Sequence, residues 1–115
     1  MTSTTFEFEK EHMLAERKDK AHRITAKYPD RIPVICEKDP KSKLNEMEKA
    51  KILVPKDLSV AQFIKRIKLK PEETIFLFIN NKLVHNGALM ADVYENNKRE
   101  DGFLYVRYSS ENYFG

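Results

Sequence analysis

The spacing of apolar residues predicts a long helix near the start of the chain. Residues 6–27 contain neither Gly nor Pro and are rich in Glu, Lys, Arg and Ala, a composition typical of helices. Thr4 or Thr5 is the expected N-cap. The Tyr28-Pro29 pair predicts the end of the helix, because a residue before proline is disfavoured in helical conformation. The residues at helical spacing that form the expected apolar stripe are Met13, Leu14, Arg17, Ala21 and Ile24.

Shorter segments rich in β-branched and aromatic residues predict strands at residues 32–37, 51–55, 74–79, 82–84 and 103–108. Pro33 favours an edge position or a strand start for the first segment. The third segment is apolar on both faces, which predicts a central strand. In the last segment, alternation directs Phe103 and Tyr105 to one face of the sheet. It directs Leu104, Val106 and Tyr108 to the other face.

Two further helices are predicted between these strands, over residues 60–69 and 89–98. Ser59 is the expected N-cap of the first, and Leu89, Val93 and Tyr94 are expected on one side of the second. Hairpins separated by a helix indicate one mixed sheet with a helix packed on one face, an α+β architecture. The element order is also that of a ubiquitin-like β-grasp, but the pattern alone identifies only the class.

The length and the absence of repeats or linkers predict one compact domain of 115 residues. Within it we expect an N-terminal helical extension over residues 1–28, the sheet-forming core over 29–109, and a flexible C-terminal tail over 110–115. The net charge is only +3, but its distribution is uneven. Residues 38–70 hold ten basic and four acidic side chains, whereas residues 71–115 hold four basic and seven acidic ones. A positive surface is therefore expected around the middle of the chain.

No catalytic or metal-binding constellation is recognisable in the sequence. Cys36 is the single cysteine, so neither a disulfide framework nor a CxxC motif is possible, and a reducing compartment is expected. The three histidines, His12, His22 and His85, are scattered, and Gly occurs only at 87, 102 and 115, which excludes a Gly-rich phosphate loop. We therefore predict no enzymatic activity, no metal and no cofactor.

The N-terminus is polar and acidic, unlike a signal peptide, and the longest apolar run, residues 75–79, is far shorter than a membrane span. A cytoplasmic location is expected.

Three features remain as candidates for function, each with a purely structural alternative. If the basic segment 49–55 forms an edge strand, a peptide strand can add to it, although lysines also protect ordinary edges. Alternation in that strand directs Lys49, Lys51 and Leu53 to one face and Ala50, Ile52 and Val54 to the other. The cations at residues 65–70 can bind an acidic partner or simply form a solvated helix face. Gly115 lacks a Cβ, so its carboxylate can enter a narrow active site and react there. The structural alternative is that the C-terminal residues are simply a frayed terminus. A nucleic-acid-binding domain using residues 38–70 is a third class of function, opposed by the acidic C-terminal third.

Five motifs in the chain resemble the autophagy ubiquitin-like modifiers, the family of the GABA-receptor-associated protein. The motifs are KYPDRIPVI at 27–35, KILVP at 51–55, FLFINN at 76–81, DGFLYV at 101–106, and YSSE at 108–111 leading to Phe114-Gly115. They occur in the same order over nearly the whole chain, which makes the series specific. The resemblance implies a ubiquitin-like β-grasp, a mixed four-stranded sheet with packed helices, preceded by two N-terminal helices.

The resemblance also implies a covalent function for the C-terminus. Gly115, presented by Phe114, is expected to be adenylated by an activating enzyme, passed through cysteine thioesters, and joined to the amine of phosphatidylethanolamine. The implied partners are activating and conjugating enzymes of the ubiquitin-like type, a deconjugating cysteine protease, and cargo receptors. The implied location is the cytoplasm, or the autophagosome membrane once lipidated, and a monomer is expected in solution. An unconjugated β-grasp adaptor that only binds peptides is the alternative.

The family is known to bind peptides of the form aromatic-x-x-aliphatic, preceded by acids, and the matching positions define two expected pockets. The first consists of Ile24, Pro33, Ile35, Lys51, Leu53 and Phe103. The second consists of Ile52, Val54, Pro55, Leu58, Phe63 and Ile67. The positions matching contacts to acidic side chains are Arg31, Lys49, Lys51 and Arg66.

Three departures from the family pattern bear on these expectations. Met13-Leu14 replaces a common Pro-Phe pair between the two N-terminal helices. Lys20 stands where an acid is frequent, which favours more acidic peptides. The helix from Val60 is about one turn shorter than usual, judged by the roughly 3.6 residues of a helical turn, and this shortening is expected to reshape the second pocket.

Overall fold

The computed structural model describes residues 5–47, 50–67 and 70–111. Within these ranges the chain forms four helices and five strands. The helices are α1 (Glu7–Glu11), α2 (Leu14–Lys27), α3 (Val60–Ile67) and α4 (Met90–Asn97). The strands are β1 (Arg31–Lys38), β2 (Lys51–Pro55), β3 (Phe76–Ile79), β4 (Lys82–Leu83) and β5 (Leu104–Ser109).

The strands form one mixed sheet in the order β2-β1-β5-β3-β4. Strand β1 runs parallel to β5, and the other neighbouring pairs are antiparallel. The last strand of the chain therefore lies at the centre of the sheet. The expected four-stranded sheet has a fifth, two-residue strand, β4, at its edge. Asn80 and Asn81 join it to β3 with φ of 51° and 65°, as in a tight two-residue hairpin turn.

Strand β1 lies inside the sheet, so the edge position that Pro33 suggested for it is wrong. Pro33 lies near the start of β1, opposite Leu53 of β2. The ladder between β1 and β5 begins only at Val34, so the missing N–H of proline removes no hydrogen bond from that ladder. The alternative prediction, that Pro33 marks a strand start, is correct.

Apolar side chains on the two faces of the sheet form two separate cores. The N-terminal core lies under α1 and α2 and consists of Phe6, Phe8, Ala21, Ile35, Phe103 and Tyr105. The main core lies under α3 and α4, and its sheet residues include Ile32, Val34, Cys36, Val54, Leu104, Val106 and Tyr108. The alternation predicted for the last strand is thereby confirmed, since Phe103 and Tyr105 belong to one core and Leu104, Val106 and Tyr108 to the other.

The single helix that the residue pattern predicts over residues 6–27 is interrupted, whereas the two N-terminal helices that the resemblance implies are both present. His12 and Met13 have extended backbone conformations, with ψ of 133° and 156°, and separate α1 from α2. Met13 is 81% exposed and Leu14 is 37% exposed, so neither belongs to an apolar stripe. Local helix propensity is overridden here because Phe6 and Phe8 are buried in the N-terminal core, which draws α1 onto the sheet. The N-cap of α1 is Phe6 rather than Thr5, and Thr4 lies outside the described residues.

Helix α1 has only five residues, too few for a helix to be stable on its own, and side chains of the sheet hold it in place. Glu37 of β1 accepts hydrogen bonds from the backbone N–H groups of Glu7 (2.9 Å) and Phe8 (3.1 Å). These N–H groups have no partner inside a helix, so the carboxylate satisfies donors that would otherwise need water. The guanidinium of Arg107 lies 4.0 Å from the centre of the Phe6 ring, a cation–π contact.

Helix α2 is fixed to β5 through a buried carboxylate, Asp101, which is 3% exposed. It accepts hydrogen bonds from Arg17 Nη1 (3.2 Å), from the Phe103 N–H (2.9 Å) and from the hydroxyl of Tyr105. Burial, and secondarily the hydrogen bond to Asp101, raises the pKa of Tyr105. The next residue, Gly102, has φ of 91°, and a Cβ there would lie 3.0 Å from the Cβ of Ala21. Glycine thus allows α2 to approach the sheet closely.

The remaining helices begin with different capping arrangements. Ser59 caps α3 as predicted, because its hydroxyl accepts from the Gln62 N–H (3.1 Å) while the Gln62 side chain accepts from the Ser59 N–H (2.8 Å). Within the described residues α3 ends at Ile67. Helix α4 begins one residue later than predicted, so Leu89 is its half-exposed N-cap and Met90 is the residue in the core.

The buried Asp101 generates a prediction about stability. Asp101→Ala leaves Arg17, Tyr105 and the Phe103 N–H without their shared acceptor, and we expect a loss of about 3 kcal/mol in the free energy of unfolding, measured by urea denaturation. Glu100→Ala is the matched control, because the carboxylate of Glu100 is exposed and, among the described residues, forms an ion pair only with Lys18, at 3.5 Å. The expected cost of this substitution is below about 0.5 kcal/mol. Equal losses for the two variants would contradict this account of how α2 is held.

Candidate functional site

Strand β2 has a neighbouring strand on one side only, in the part of the chain that the structure describes. Its inner side pairs with β1 from Arg31 opposite Pro55 to Ile35 opposite Lys51. The outer side presents backbone N–H and C=O groups at the edge of the sheet. An extended peptide can satisfy such groups by adding as a further strand.

The structure brings the residues of the expected first pocket to one face of β2. Leu53 lies opposite Pro33, and Lys51 lies opposite Ile35, so these four side chains share the face that carries α1 and α2. Ile24 packs against the N-terminal core, of which Ile35 and Phe103 are fully buried members. Ile35 and Phe103 therefore form the floor, whereas Ile24, Leu53 and Lys51 are the side chains that a ligand can reach.

The residues of the expected second pocket other than Pro55 lie on the opposite face of β2, beside α3. Pro55 lies opposite Arg31 and alternates with Leu53 onto the face of the first pocket. Ile52 and Val54 lie opposite Val34 and Ile32. Val54, Phe63 and Ile67 are buried members of the main core, and Ile52 and Leu58 pack against it. Ile52, Leu58 and Pro55 are only half-buried, so they are the accessible part of this set.

Three of the four expected cations line this edge of the sheet. Lys51 begins β2, Arg31 lies opposite its last residue, and Arg66 lies on α3. All three are exposed, and none forms an ion pair with another described residue. Their charges are thus available to attract an acidic partner. Lys49 lies outside the described residues.

The departure at Lys20 adds a fourth positive charge. Lys20 is half-buried on α2, one turn before Ile24 of the first pocket. Its ammonium group makes no hydrogen bond or ion pair with any residue in the described ranges. On the α2 side of the first pocket, the ammonium group of Lys20 can therefore donate hydrogen bonds to a ligand but cannot accept them.

The structure also reveals a cavity of about 410 Å³ at the start of β2, which the sequence did not indicate. It lies between α1 and the β1–β2 connection, and its lining includes Glu7, Lys10, Met47 and Ala50. The alternation expected for the edge segment places Ala50 on the same face as Ile52. This prediction is wrong, because Ala50 packs against the N-terminal core whereas Ile52 packs against the main core. Strand β2 begins at Lys51, so its period of two does not extend to residue 50.

The C-terminal end of the candidate site is described as far as Glu111. Strand β5 ends at Ser109, and Ser110 and Glu111 follow it. Phe114 and Gly115 lie outside the described residues, so the expected conjugation site and the expected flexible tail stay predictions.

The chemistry available elsewhere in the described residues is limited. Cys36 is 1% exposed, and burial, followed by the charge of neighbouring Glu37, raises the pKa of its thiol. No group of three or more His, Cys, Asp or Glu side chains within the described ranges is arranged to hold a metal ion. No helix of the described chain is both long enough and apolar enough to cross a bilayer.

Comparison with known proteins identifies the family. A family model described as "Autophagy protein Atg8 ubiquitin like" matches residues 16–115. This chain belongs to the Atg8 family. The resemblance drawn from the motifs and the ubiquitin-like fold that it implied are thereby confirmed.

Individual Atg8 proteins resemble the chain over almost its whole length. Autophagy-related protein 8 of Emericella nidulans is 54% identical over 112 residues, which cover 94% of this chain and 95% of the relative. The protein of the same name from Mycosarcoma maydis has the same identity and coverage. The crystal structure of Trypanosoma brucei ATG8 matches with a TM-score of 0.88 at 39% identity, covering 97% of this chain and 100% of that one. Plasmodium falciparum Atg8, solved in complex with a Plasmodium falciparum Atg3 peptide, matches with a TM-score of 0.83 at 39% identity, covering 94% and 98%.

The burial of Cys36 predicts that its thiol is inert in the folded protein. Because thiolate is the reactive form and the site opens only by unfolding, we expect a disulfide reagent at mildly alkaline pH to react about 1,000-fold more slowly than in denaturing guanidinium. The control is Cys36→Ala carrying Ala15→Cys on the exposed face of α2, which should react equally fast in both conditions. Rapid labelling of native Cys36 would show that the thiol is accessible.

Proposed function

We propose that this Atg8-family protein is a ubiquitin-like modifier that is conjugated through Gly115 to phosphatidylethanolamine and docks aromatic-x-x-aliphatic peptides. The observation that carries the peptide-binding part is the arrangement of the two apolar sets on opposite faces of the edge strand β2. In an added strand, successive side chains point to opposite faces, so residues three apart also point to opposite faces. They are separated by about 10 Å along the strand. An aromatic-x-x-aliphatic peptide therefore directs one anchor to each face.

In the proposed complex, main-chain hydrogen bonds to β2 supply the pairing, and the two anchors supply the apolar burial. The aromatic anchor fills the space between Ile24, Leu53 and Lys51, above the buried floor of the first pocket. The aliphatic anchor packs on Ile52 and Leu58, on the other face of β2. Acidic residues of the peptide are attracted by the cations along this edge, which raises the association rate and favours acidic partners.

The related complex of Plasmodium falciparum Atg8 supports a peptide partner, because that protein was solved with an Atg3 peptide. By analogy we propose that this chain binds a conjugating enzyme as well as cargo receptors. Within this scheme the chain is a substrate of enzymes and not itself an enzyme, and a cysteine protease reverses the conjugation.

The proposed conjugation proceeds in four steps at the carboxylate of Gly115. The carboxylate attacks the α-phosphorus of ATP and releases pyrophosphate, and a thiolate of the activating enzyme then displaces AMP to form a thioester. A thiolate of the conjugating enzyme attacks that thioester, forms a second thioester and releases the first thiol. The amine of phosphatidylethanolamine attacks the thioester carbonyl, which forms an amide bond, releases the thiol and loses a proton. Glycine presents no Cβ to obstruct these attacks.

Conjugation changes the location of the domain through the hydrophobic effect. Two acyl chains become attached to a protein whose described helices cannot span a bilayer. Each buried methylene contributes about 0.8 kcal/mol, so two chains give stable anchoring where one gives only reversible binding. The proposed product is a membrane-bound docking surface on autophagosomes, formed from a cytoplasmic monomer.

Peptide binding predicts micromolar, saturable titration by a fluorescent peptide that carries acids followed by Trp-x-x-Leu. Lys51→Glu reverses a charge beside the first pocket and should weaken binding about tenfold, equivalent to about 1.4 kcal/mol. Lys82→Glu is the matched control, since it makes the same charge change at the opposite edge strand, β4.

The spacing of the two anchors in the peptide provides a second test. A peptide with Trp-x-x-x-Leu directs both anchors to one face and should bind more weakly than the peptide with Trp-x-x-Leu. Equal affinity for the two peptides would contradict the two-face arrangement.

Conjugation predicts that Gly115→Ala abolishes the lipid adduct while the free energy of unfolding and the peptide affinity stay unchanged. The added methyl group hinders attack at the carbonyl, and residue 115 belongs to neither expected pocket. Mass spectrometry of the protein from cells, or after reconstitution with the conjugation enzymes, measures the adduct. A lipid adduct that persists in the variant would disprove the assignment of Gly115. A wild-type protein that is never conjugated, yet still binds peptide, would establish the unconjugated adaptor instead.

A further inference from the structure

The connection between β1 and β2 is bonded to the last residues of β5 and to the start of the C-terminal segment. The Asp39 N–H donates to the carbonyl of Tyr108 at 2.8 Å. The Ser110 N–H donates to Ser42 Oγ at 3.3 Å, and the hydroxyls of Ser42 and Ser110 lie 3.5 Å apart. Asp39, Ser42 and Tyr108 are buried and Ser110 is half-buried, so these contacts are partly shielded from water.

The hydroxyl of Tyr108 bonds to the same connection at two further points. It donates to the carbonyl of Asn45 at 2.9 Å and accepts from the Met47 N–H at 3.0 Å. Ser42 Oγ also accepts from the Leu44 N–H at 3.3 Å. We call Ser42, Tyr108 and Ser110 the tail clamp. These three residues join the β1–β2 connection to the point where the chain leaves the sheet.

The tail clamp determines where the C-terminal segment begins. Residues 111–115 are the five that separate Ser110 from the end of the chain. Fully extended, five residues span at most about 17 Å. The position and direction of Ser110 therefore limit the volume that the terminal carboxylate can reach relative to the rest of the domain.

We propose that Ser42 and Tyr108 are positioning residues for the reactions of Gly115. They do not touch the reacting carboxylate, and they act by holding Ser110 so that an enzyme docked on the domain finds the terminus within reach. This inference rests on the proposed conjugation of Gly115. It assigns a role to residues 39–47 of the β1–β2 connection, none of which is among the expected peptide contacts.

The physical basis is the entropy of the terminal segment. If the clamp is broken, Ser110 and the residues before it gain freedom, and fewer docked complexes place the carboxylate in the active site. The docking surface itself is unchanged, so KM should stay constant while kcat falls. A hydrogen bond of typical net strength corresponds to about a fivefold change.

The test compares two tyrosines of β5 that point to opposite faces of the sheet. Tyr108→Phe removes the hydroxyl that bonds to Asn45 and Met47, whereas Tyr105→Phe removes one that bonds to Asp101, remote from the connection. In reconstituted conjugation to vesicles containing phosphatidylethanolamine, we expect kcat to fall about fivefold for Tyr108→Phe and for Ser42→Ala, with KM unchanged. Tyr105→Phe, assayed below its unfolding temperature, should retain the wild-type kcat although it also loses a buried hydrogen bond.

Hydrogen exchange measured by NMR supplies a readout that does not depend on any enzyme. The Ser110 amide should be protected in the wild type and should lose protection in Ser42→Ala. Ser42→Thr keeps the hydroxyl and should restore both the protection and kcat. If the wild type is conjugated and all clamp variants match its kcat, the positioning role is wrong while the proposed function stands. If the wild type is not conjugated at all, the proposed function is wrong and the positioning role falls with it.

Discussion

The central position of β5 is the constraint on which the rest of the structure depends. It pairs in parallel with β1 on one side and antiparallel with β3 on the other, so the sheet is complete only when the last strand of the chain is in place. Its side chains and that of Phe103, the residue before it, alternate between the two cores. Phe103 and Tyr105 face α1 and α2, and Leu104, Val106 and Tyr108 face α3 and α4. Because β5 occupies the centre, β2 is left at an edge, where a peptide can add. The C-terminal segment accordingly starts from the most buried strand of the molecule.

The two faces of the edge strand have different depths of burial, and this determines which residues a ligand can contact. Fully buried side chains, such as Ile35, Phe103 and Phe63, support the site from below and contribute mainly to stability. The half-buried side chains on the strand itself, such as Leu53 and Ile52, remain accessible. Substitutions of the first kind are expected to unfold the protein before they report on binding, whereas substitutions of the second kind test the proposed peptide recognition directly.

Polar contacts, rather than apolar burial alone, position the elements around the sheet. Glu37 holds the first turn of α1 through two backbone N–H groups, and Asp101 holds α2 through Arg17. Ser42 and Tyr108 hold the β1–β2 connection in the same way. Buried polar groups need hydrogen-bond partners in defined directions. Each of these contacts therefore fixes the orientation of one element against the sheet more strictly than apolar packing alone would.

The sequence by itself determined the elements whose signals are local, together with the family. The bounds of β2, the Ser59 cap of α3 and the two faces of β5 follow from alternation and capping chemistry, which act over a few residues. The motif series also supplied the expected pocket residues, of which the fold places Lys51 and Leu53 on one face of β2 and Ile52 on the other. Only the tertiary structure decided the break at His12 and Met13, the interior position of β1 and the side to which Ala50 turns. Each of these depends on partners that are distant in sequence, such as the sheet residues that bury Phe6 and Phe8, and no local pattern specifies which distant partner a residue meets.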